Sequence, residues 1–344
     1  MSSLGGPVYD RVPSRQLREL LGSEGILALL LEKRTVAGVG LDVHLRRRDE
    51  VDLCCGLTCL VKGGRNGGGS VRVESHRTYA GQPCASGLFR PGRTAAFRGG
   101  EYVRGAWTAG EPGFGEALAR FLNRVRIAPR QTREGAVQAL WSRVDEPWVV
   151  FDKEAALAYP SVRERREHLS ELFSASVEHA RRELEALALT RRSLPGRRDR
   201  WAMPPDPKDR LKLDQLAVDP AGNLVLVEIK DASGSSAEVY YAPFQLLQNV
   251  WEWHFALGAV RGSLRELIGA RVELGLTPAD TPAVTGGIRA VVGFGDDTRS
   301  DEVRGRYAQV LGIARTCLPG LRQSRPGCWR GVDRRSASGE TGWR

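Results

Sequence analysis

The sequence predicts an α/β domain in its C-terminal part, with a separate α+β region before it. Three observations carry this prediction. Residues 213–230 alternate as two strands about a turn, the stretch 161–188 has the length and composition of a long helix, and a strand pattern at 287–294 precedes a helix pattern at 301–316. At 344 residues the chain is long enough for one large or two ordinary domains.

The N-terminal region, residues 1–150, is predicted to contain both helices and strands. A Gly-rich stretch at 63–69 is expected to connect strands flexibly, and it is not a phosphate-binding loop because no Gly-Lys-Ser/Thr follows it. No firm structure is assigned to residues 76–112. The predicted elements are strands at 36–45, 51–61, 71–75 and 148–151 and helices at 113–125 and 134–144.

The C-terminal domain is predicted to span residues 151–321. It begins with the long helix 161–188, which is dense in Arg and Glu and leads to a Pro-rich connection at 203–207. Residues 322–344 contain Ser, Gly and Arg in place of periodic apolar residues. We therefore expect a disordered basic tail there.

The two strands of 213–230 are expected to form a hairpin. Between them the turn sequence Asp-Pro-Ala-Gly-Asn at 219–223 combines the fixed φ of Pro with a Gly that tolerates positive φ. If the loop comprises residues 220–222, Asp214 lies directly opposite Glu228. A loop of two residues would shift the register and turn Asp214 to the other face.

Three charged residues are then expected to meet on one face of the hairpin. Glu228 and Lys230 share a face because side chains alternate along a strand. Asp214 and Glu228, about 5 Å apart across the hairpin, repel each other unless a cation lies between them. Their hard oxygen ligands suit Mg²⁺ or Mn²⁺, which can activate water beside a phosphate while a lysine ammonium offsets developing charge. Solvent-facing charges on an amphipathic hairpin are the alternative interpretation.

The surroundings favour the metal site over that alternative. Residues 224–229 are nearly all apolar, so the strand is expected to be buried, and buried charges are rare unless they are paired or bind a metal. Only six of the 51 basic residues are Lys, and one of them is Lys230. A compact ammonium would suit the chemistry at that position.

Asp214 followed by Glu228-Ile229-Lys230 resembles the acidic and (D/E)-x-K motifs of the PD-(D/E)xK nuclease superfamily, the restriction-endonuclease-like fold. The resemblance covers roughly 160–316 and implies a mixed central sheet flanked by helices. It also implies a helix with an active-site Gln after the hairpin, then a strand and a helix, and 243–247, 287–294 and 301–316 match these. Leu213 stands where the family often has Pro, and Asn249 where some branches have Tyr, so no branch is identified.

The resemblance implies a role for each site residue. Asp214 and Glu228 would bind Mg²⁺ or Mn²⁺ together with the main-chain carbonyl of Ile229, Lys230 would position the nucleophilic water, and Gln245 would support the site. As the third helical residue after Pro243, Gln245 could instead satisfy a free backbone donor. A glutamate of the long helix often completes sites in this superfamily, and no single one is selected among Glu164, Glu167, Glu171 and Glu178.

We therefore expect a metal-dependent nuclease that hydrolyses phosphodiester bonds, with DNA as the substrate. A catalytically silent module of the same fold, binding nucleic acid or a protein partner within a defence or mobile-element system, is the alternative. A protein partner of residues 1–150 and a homodimer are both left open.

The net charge of +10 and the pI near 9.6 favour a polyanionic partner. Two Arg clusters are candidate phosphate contacts, with an ordinary solvated face as the alternative for both: Arg46, Arg47 and Arg48, and Arg191, Arg192, Arg197, Arg198 and Arg200. The second cluster is the better candidate because it lies just before the hairpin in the sequence.

The remaining signals predict packing and location. The six cysteines contain no C-x-x-C pair, so they are expected to be core or free thiols and not metal ligands. The helically spaced stripe Phe244, Leu247, Trp251 and Phe255 is expected to be buried, and Tyr240, Tyr241 and Trp253 to pack in the core. With no signal peptide and no long apolar span, we expect a cytoplasmic protein that does not enter the membrane.

Overall fold

The chain folds as a mixed α/β protein in a computed structural model. The structure describes residues 6–32, 35–36, 39–55, 58–65, 70–89, 94–97, 101–108, 111–127, 138, 141–142, 147–192, 201–206, 211–230, 236–294, 301–318 and 329–333. The chain divides into two compact units. The N-terminal unit comprises 10–152 and 262–283, and the C-terminal unit comprises 1–9, 153–261 and 284–344.

Most of the N-terminal unit is β-structure. After helices α1 (Arg15–Leu21) and α2 (Leu29–Glu32), strands β1 (Thr35–Val36) and β2 (Val39–Gly40) pair with each other. A larger antiparallel sheet has the order β3-β4-β5-β6-β8-β7. Its strands are β3 (Asp42–Arg46), β4 (Glu50–Cys55), β5 (Thr58–Arg65), β6 (Ser70–His76), β7 (Thr94–Phe97) and β8 (Tyr102–Thr108).

Period-two alternation explains the two faces of this sheet. Odd-numbered residues such as Leu45, Val51 and Val73 are apolar and buried. Even-numbered residues form a charged row, in which register partners follow one another across five strands: His44, Asp52, Lys62, Glu74 and Arg104. Because opposite charges alternate along most of the row, ion pairs offset the burial of these groups.

Two further helices belong to the N-terminal unit. Helix α3 (Arg77–Ala80) follows β6 directly, and helix α4 (Phe114–Arg124) follows β8. Helix α4 is amphipathic and buries Phe114, Leu118 and Phe121. The helix predicted at 113–125 is thus present, whereas the one predicted at 134–144 lies largely outside the described residues.

The second large sheet has five strands in the order β13-β12-β11-β10-β9. These strands are β9 (Val149–Ala155), β10 (Leu213–Val218), β11 (Leu224–Lys230), β12 (Ile288–Phe294) and β13 (Trp329–Asp333). Strand β10 runs antiparallel to β11, while β12 runs parallel to both β11 and β13, so the sheet is mixed. Strand β11 is the central strand of this mixed sheet, and its almost continuously apolar sequence fits its burial on both faces.

Five α-helices are described between the strands of this sheet in chain order. They are α5 (Val162–Phe173), α6 (Val177–Arg192), α7 (Ser236–Tyr240), α8 (Ala242–Glu273) and α9 (Asp301–Thr316). Helix α8 has 32 residues, and its N-terminal part belongs to the C-terminal unit while residues from 262 onward belong to the N-terminal unit. None of the described helices is both long enough and apolar enough to cross a membrane.

The predicted helix at 161–188 is two helices in the structure. Ser161 caps the first one through a bond from the Glu164 backbone N–H to its hydroxyl, and the break falls at residues 174–176. There Ser174 donates its hydroxyl to the Glu171 carbonyl. Such local serine bonds compete with helical backbone bonds, which explains an interruption that amphipathic periodicity does not reveal.

Two other expectations are corrected. Within the tail predicted over 322–344, Trp329–Asp333 forms strand β13 beside β12, because an open strand edge offers unpaired backbone groups to any nearby segment. In the aromatic stripe, Phe244 and Leu247 are buried, but Phe255 is 53% exposed and stacks on Trp251. Tyr240, Tyr241 and Trp253 pack in the core as expected.

Candidate active site

The hairpin of β10 and β11 positions the first two acidic residues. Gln215 pairs with Val227 and Val218 with Leu224, the register that results when residues 220–222 form the loop. The loop closes through the Asp219 N–H, which donates to the Asn223 carbonyl, and Gly222 adopts a φ of 77°. Continued by one residue, this register places Asp214 opposite Glu228.

Lys230 lies between a carboxylate and an amide. Its Nζ donates to Glu228 Oε1 at 2.7 Å and to Gln245 Oε1 at 3.0 Å. Burial alone would lower the pKa of Lys230, but the Glu228 carboxylate, followed by Asp214, raises it above its ordinary value. Lys230 is therefore an ammonium at neutral pH and a hydrogen-bond donor, and it cannot serve as a general base.

Asp214 lies in a buried environment that disfavours its ionised form. Its Oδ2 accepts the Ile229 backbone N–H at 2.6 Å. Burial and the neighbouring Glu228 carboxylate raise the pKa of Asp214 well above its ordinary value, and the Ile229 bond and Lys230 only partly oppose them. Two carboxylates so close in a buried site are a pair that a divalent cation would stabilise in the ionised form.

A third carboxylate, which the sequence patterns did not indicate, belongs to Glu154 near the end of β9. Its charge contributes to the raised pKa of Asp214, so the two carboxyl groups are electrostatic neighbours. Glu154 Oε2 lies 3.5 Å from Lys212 Nζ. The residue has a φ of 50°, in the left-handed region that non-glycine residues rarely adopt. Such conformations concentrate at functional sites, and only the coordinates reveal this one.

The four glutamates of the helix predicted at 161–188 differ from Glu154 in their surroundings. Glu164 belongs to the capping bonds of Ser161, and Glu167 lies near Arg163 in an exposed pair one helical turn apart. Glu171 is exposed, and Glu178 is half-buried. None of these four is among the main causes of the raised pKa of Asp214, whereas Glu154 is.

Helix α8 carries further polar residues beyond Gln245, and these are buried in the core. Gln245, Asn249 and Glu252 are spaced as neighbours along one side of a helix, and the last two are almost fully buried. Glu252 Oε1 accepts hydrogen bonds from the Arg165 guanidinium at 3.2 Å and the Tyr159 hydroxyl at 3.0 Å. Burial nevertheless raises the pKa of Glu252 to about 7. The amide oxygen and nitrogen of Asn249 have no hydrogen-bond partner among the described residues.

The two Arg clusters differ in how far the structure describes them. Arg46 lies 3.6 Å from Asp52 in the N-terminal unit, and its guanidinium also contacts His44. Arg191 contacts Gln309, and Arg192 donates to the Trp201 carbonyl. Arg197, Arg198 and Arg200 lie outside the described residues. The structure thus accounts for Arg46 and Arg192 by internal contacts, and the phosphate contacts stay a prediction.

Taken together, these residues are candidate ligands of a hard cation with an ammonium beside them, but the oxygen atoms of Asp214, Glu228 and Glu154 do not all lie within 4.8 Å of one another. Asp214, Glu228 and Glu154 supply carboxylate oxygens, and Lys230 and Gln245 supply polar groups at the same end of the hairpin. No protein-family model, no curated protein and no solved structure matches this chain.

Proposed function

We propose that the chain is a metal-dependent nuclease that hydrolyses phosphodiester bonds, with DNA as its expected substrate. The observation that carries the proposal is the position of the Lys230 ammonium. Lys230 Nζ donates hydrogen bonds to Glu228 and Gln245. The preceding residue, Ile229, donates its backbone N–H to Asp214. A protonated lysine held among paired acids suits phosphoryl chemistry, in which negative charge develops on oxygen atoms.

The order of the elements supports the same proposal. Helices α5 and α6 precede the β10–β11 hairpin, helix α8 with Gln245 follows it, and β12 and α9 come next. The five-stranded sheet is mixed, with β11 at its centre. This sequence of elements resembles the restriction-endonuclease-like core of the PD-(D/E)xK superfamily, and we include that fold in the proposal.

The donor set fits Mg²⁺ or Mn²⁺. Asp214 and Glu228 would bind the ion through carboxylate oxygens, and Glu154 is a third candidate. In a β-strand the N–H and carbonyl of one residue point toward the same neighbouring strand. Because the Ile229 N–H donates to Asp214, the Ile229 carbonyl is expected to point toward the same strand as that carboxylate. When bound, such an ion polarises a phosphate and lowers the pKa of coordinated water.

The protein's own residues would then orient the reactants. Lys230 would donate hydrogen bonds to the attacking water or to a phosphate oxygen, and its positive charge would stabilise the charge that develops there. Gln245 would keep the ammonium in place through the bond from Nζ. In the metal-free protein the Glu228 and Asp214 carboxylates raise the pKa of Lys230 against the effect of burial, which favours an ammonium that donates hydrogen bonds.

A cleavage panel tests the proposal. Purified protein would be incubated with duplex, single-stranded and branched DNA and with RNA, in Mg²⁺, Mn²⁺ or EDTA. We expect metal-dependent cleavage by the parent and a loss of roughly 100-fold or more in Lys230→Ala, because the variant lacks its electrostatic donor. Arg304→Ala, which removes an exposed positive charge from α9, is the matched control and should cleave like the parent.

Two outcomes would contradict a nuclease. One is the absence of cleavage on every nucleic acid in the presence of either metal. The other is undiminished cleavage by a folded Lys230→Ala protein, which would show that any activity arises elsewhere. Circular dichroism of each variant would separate a lost reaction from a lost fold.

One observation favours a catalytically silent module as the second candidate. Lys230 and Glu228 already form an ion pair at 2.7 Å, so one acidic charge is compensated without a metal. Calorimetry distinguishes the two functions. A working site should bind Mg²⁺ and release a proton because the pKa of Asp214 is raised, and Asp214→Asn should lose both signals. Asp301→Asn at an exposed position is the control, and a silent module would show no Mg²⁺ binding in any variant.

A further inference from the structure

The β4–β5 hairpin of the N-terminal unit brings one carboxylate and two thiols together. One ligand atom each of Asp52, Cys54 and Cys59 lies within 4.8 Å of the other two. Asp52 and Cys54 are buried, and Cys59 is partly exposed. Cys54, Cys55 and Cys59 are all free thiols.

An irregularity in strand pairing creates this group. Leu53 pairs with Val61, but Cys54 pairs with Cys59, so the register shifts by one residue between them and leaves Leu60 as the extra residue. Without the shift, Leu60 would stand opposite Cys54. The bulge therefore brings Cys59 opposite Cys54, which follows Asp52 by two residues on β4. The spacing of the cysteines in the sequence does not reveal this pairing.

Lys62 supplies the counter-charge. It is the register partner of Asp52, and its Nζ lies 3.5 Å from Asp52 Oδ2. The hydrogen bond with Cys54 and burial raise the pKa of the Cys59 thiol well above its usual range, while Lys62 partly opposes them. Burial likewise raises the pKa of Asp52. Arg46 Nε lies 3.6 Å from the same Asp52 oxygen, so two cations face this carboxylate.

We propose that Asp52, Cys54 and Cys59 bind a thiophilic divalent cation of the Zn²⁺ class. Two Zn–S bonds and one Zn–O bond would form, and the two S–H bonds would break with release of both protons to solvent. The positive charge of the ion is cancelled by the two new thiolates, so the net charge of the buried group stays the same as in the metal-free protein. This balance avoids the electrostatic cost of adding a bare dication to a buried site.

The ligand types select the metal. Thiolates favour Zn²⁺ strongly over Mg²⁺, which requires oxygen ligands in an octahedral arrangement. Three protein ligands leave a fourth tetrahedral position for solvent. The site is thus chemically distinct from the carboxylate group of Asp214 and Glu228, and it stands whether or not the chain cleaves nucleic acid.

The test begins with the full-length protein, reduced and freed of metal. We expect it to take up about one Zn²⁺ per chain in native mass spectrometry and to release about two protons per ion. Co²⁺ should give a thiolate-to-metal charge-transfer band, which reports sulfur ligation directly. Zn²⁺ should also protect Cys54 and Cys59 from alkylation, as mapped by peptide mass spectrometry in the unmutated protein.

Variants assign the ligands. Cys59→Ser and Cys54→Ser should abolish the charge-transfer band at equal Co²⁺, and Asp52→Asn should weaken Zn²⁺ binding roughly 10- to 100-fold. Cys84→Ser, a buried thiol of the same unit outside the group, and Cys328→Ser in the tail are the controls and should bind like the parent. Alkylation protection keeps the test decisive if a ligand variant does not fold.

Three results would overturn the proposal. These are the absence of Zn²⁺ uptake by the reduced protein, uptake that alkylation mapping places on other cysteines, and undiminished Co²⁺ charge transfer in folded Cys59→Ser. A Cys54–Cys59 disulfide in protein purified under air, with no metal uptake after reduction, would show that the pair is oxidisable and is not a metal site. Mg²⁺-dependent cleavage is not a readout in any arm, so failure here leaves the proposed nuclease untouched.

Discussion

At the scale of single residues, the candidate active site is defined by how burial and charge act on four groups. Burial and the neighbouring Glu228 carboxylate raise the pKa of Asp214, whereas the same Glu228, as the partner of Lys230, raises the pKa of that lysine against the effect of burial. Glu154 adds a negative charge from a strained backbone position. A site with these opposed tendencies changes its protonation when a cation enters, which is why proton release is an informative measurement.

Glu154 provides a prediction that separates stability from function. Its φ of 50° disfavours any residue with a Cβ, so Glu154→Gly should give a free energy of unfolding about 1 kcal/mol higher than that of Glu154→Ala. Both variants lack the carboxylate and should bind Mg²⁺ more weakly than the parent. Urea unfolding and calorimetry provide the two measurements. Equal stabilities of the Gly and Ala variants would contradict backbone strain at this position.

At the scale of elements, the β10–β11 hairpin determines which side chains meet. The Asp219 carboxylate accepts bonds from the backbone N–H groups of Ala221 and Asn223, and the Arg289 guanidinium lies 2.6 Å from its other oxygen. These bonds, together with Gly222, specify the loop and therefore the register. A shift by one residue would move Asp214 to the opposite face of the sheet.

A substitution in the loop tests this dependence. Gly222→Ala places a Cβ at a φ of 77° and should lower the free energy of unfolding by about 1 kcal/mol, without altering the register. Ala221→Gly, at an exposed neighbouring position, is the control and should change stability less. Deletion of Ala221 should instead shift the register and abolish Mg²⁺ binding. Retained binding by a folded deletion variant would show that the loop does not set the site.

At the scale of the whole molecule, each unit has its own sheet and its own buried charges. The charged row of the six-stranded sheet and the group of Glu252, Arg165 and Tyr159 both place ionisable side chains in the interior. In the first case Lys62 and Arg46 only partly oppose the desolvation of Asp52, whose pKa is raised. In the second, the pKa of Glu252 is raised as well, so its protonation favours the folded protein.

The pH dependence of stability follows from the sign of that shift. The folded protein holds the Glu252 proton up to about pH 7, while the unfolded chain loses it near the ordinary glutamate value. This stabilisation is complete below about pH 4.5 and is lost as the pH rises toward 7, a change of roughly 3 kcal/mol in unfolding free energy. Unfolding of Glu252→Gln should show a correspondingly flatter dependence. Glu183→Gln, at an exposed position of α6, is the control, and identical slopes for Glu252→Gln and the parent would contradict the assignment.

Much of the hairpin could be predicted because its signals are local. The turn residues 219–223 predicted the hairpin, and of the two loop lengths considered the structure shows the three-residue loop 220–222 with the register that follows from it. Local signals were less informative where helices meet other elements. The helical periodicity of the sequence does not reveal that the helix predicted at 161–188 is interrupted at Ser174. It also does not reveal that Phe255 of the aromatic stripe is exposed to solvent.

The sequence by itself determined the hairpin, because turn chemistry and strand alternation act between residues that are close in the chain. Only the tertiary structure decided which distant groups join it: Glu154 from β9, Gln245 from α8, and the buried pair of Glu252 and Arg165. It also decided the grouping of Asp52, Cys54 and Cys59, since a bulge shifts one strand by a single residue. Packing between separate elements and irregular strand pairing depend on the whole fold, and no short stretch of sequence encodes them.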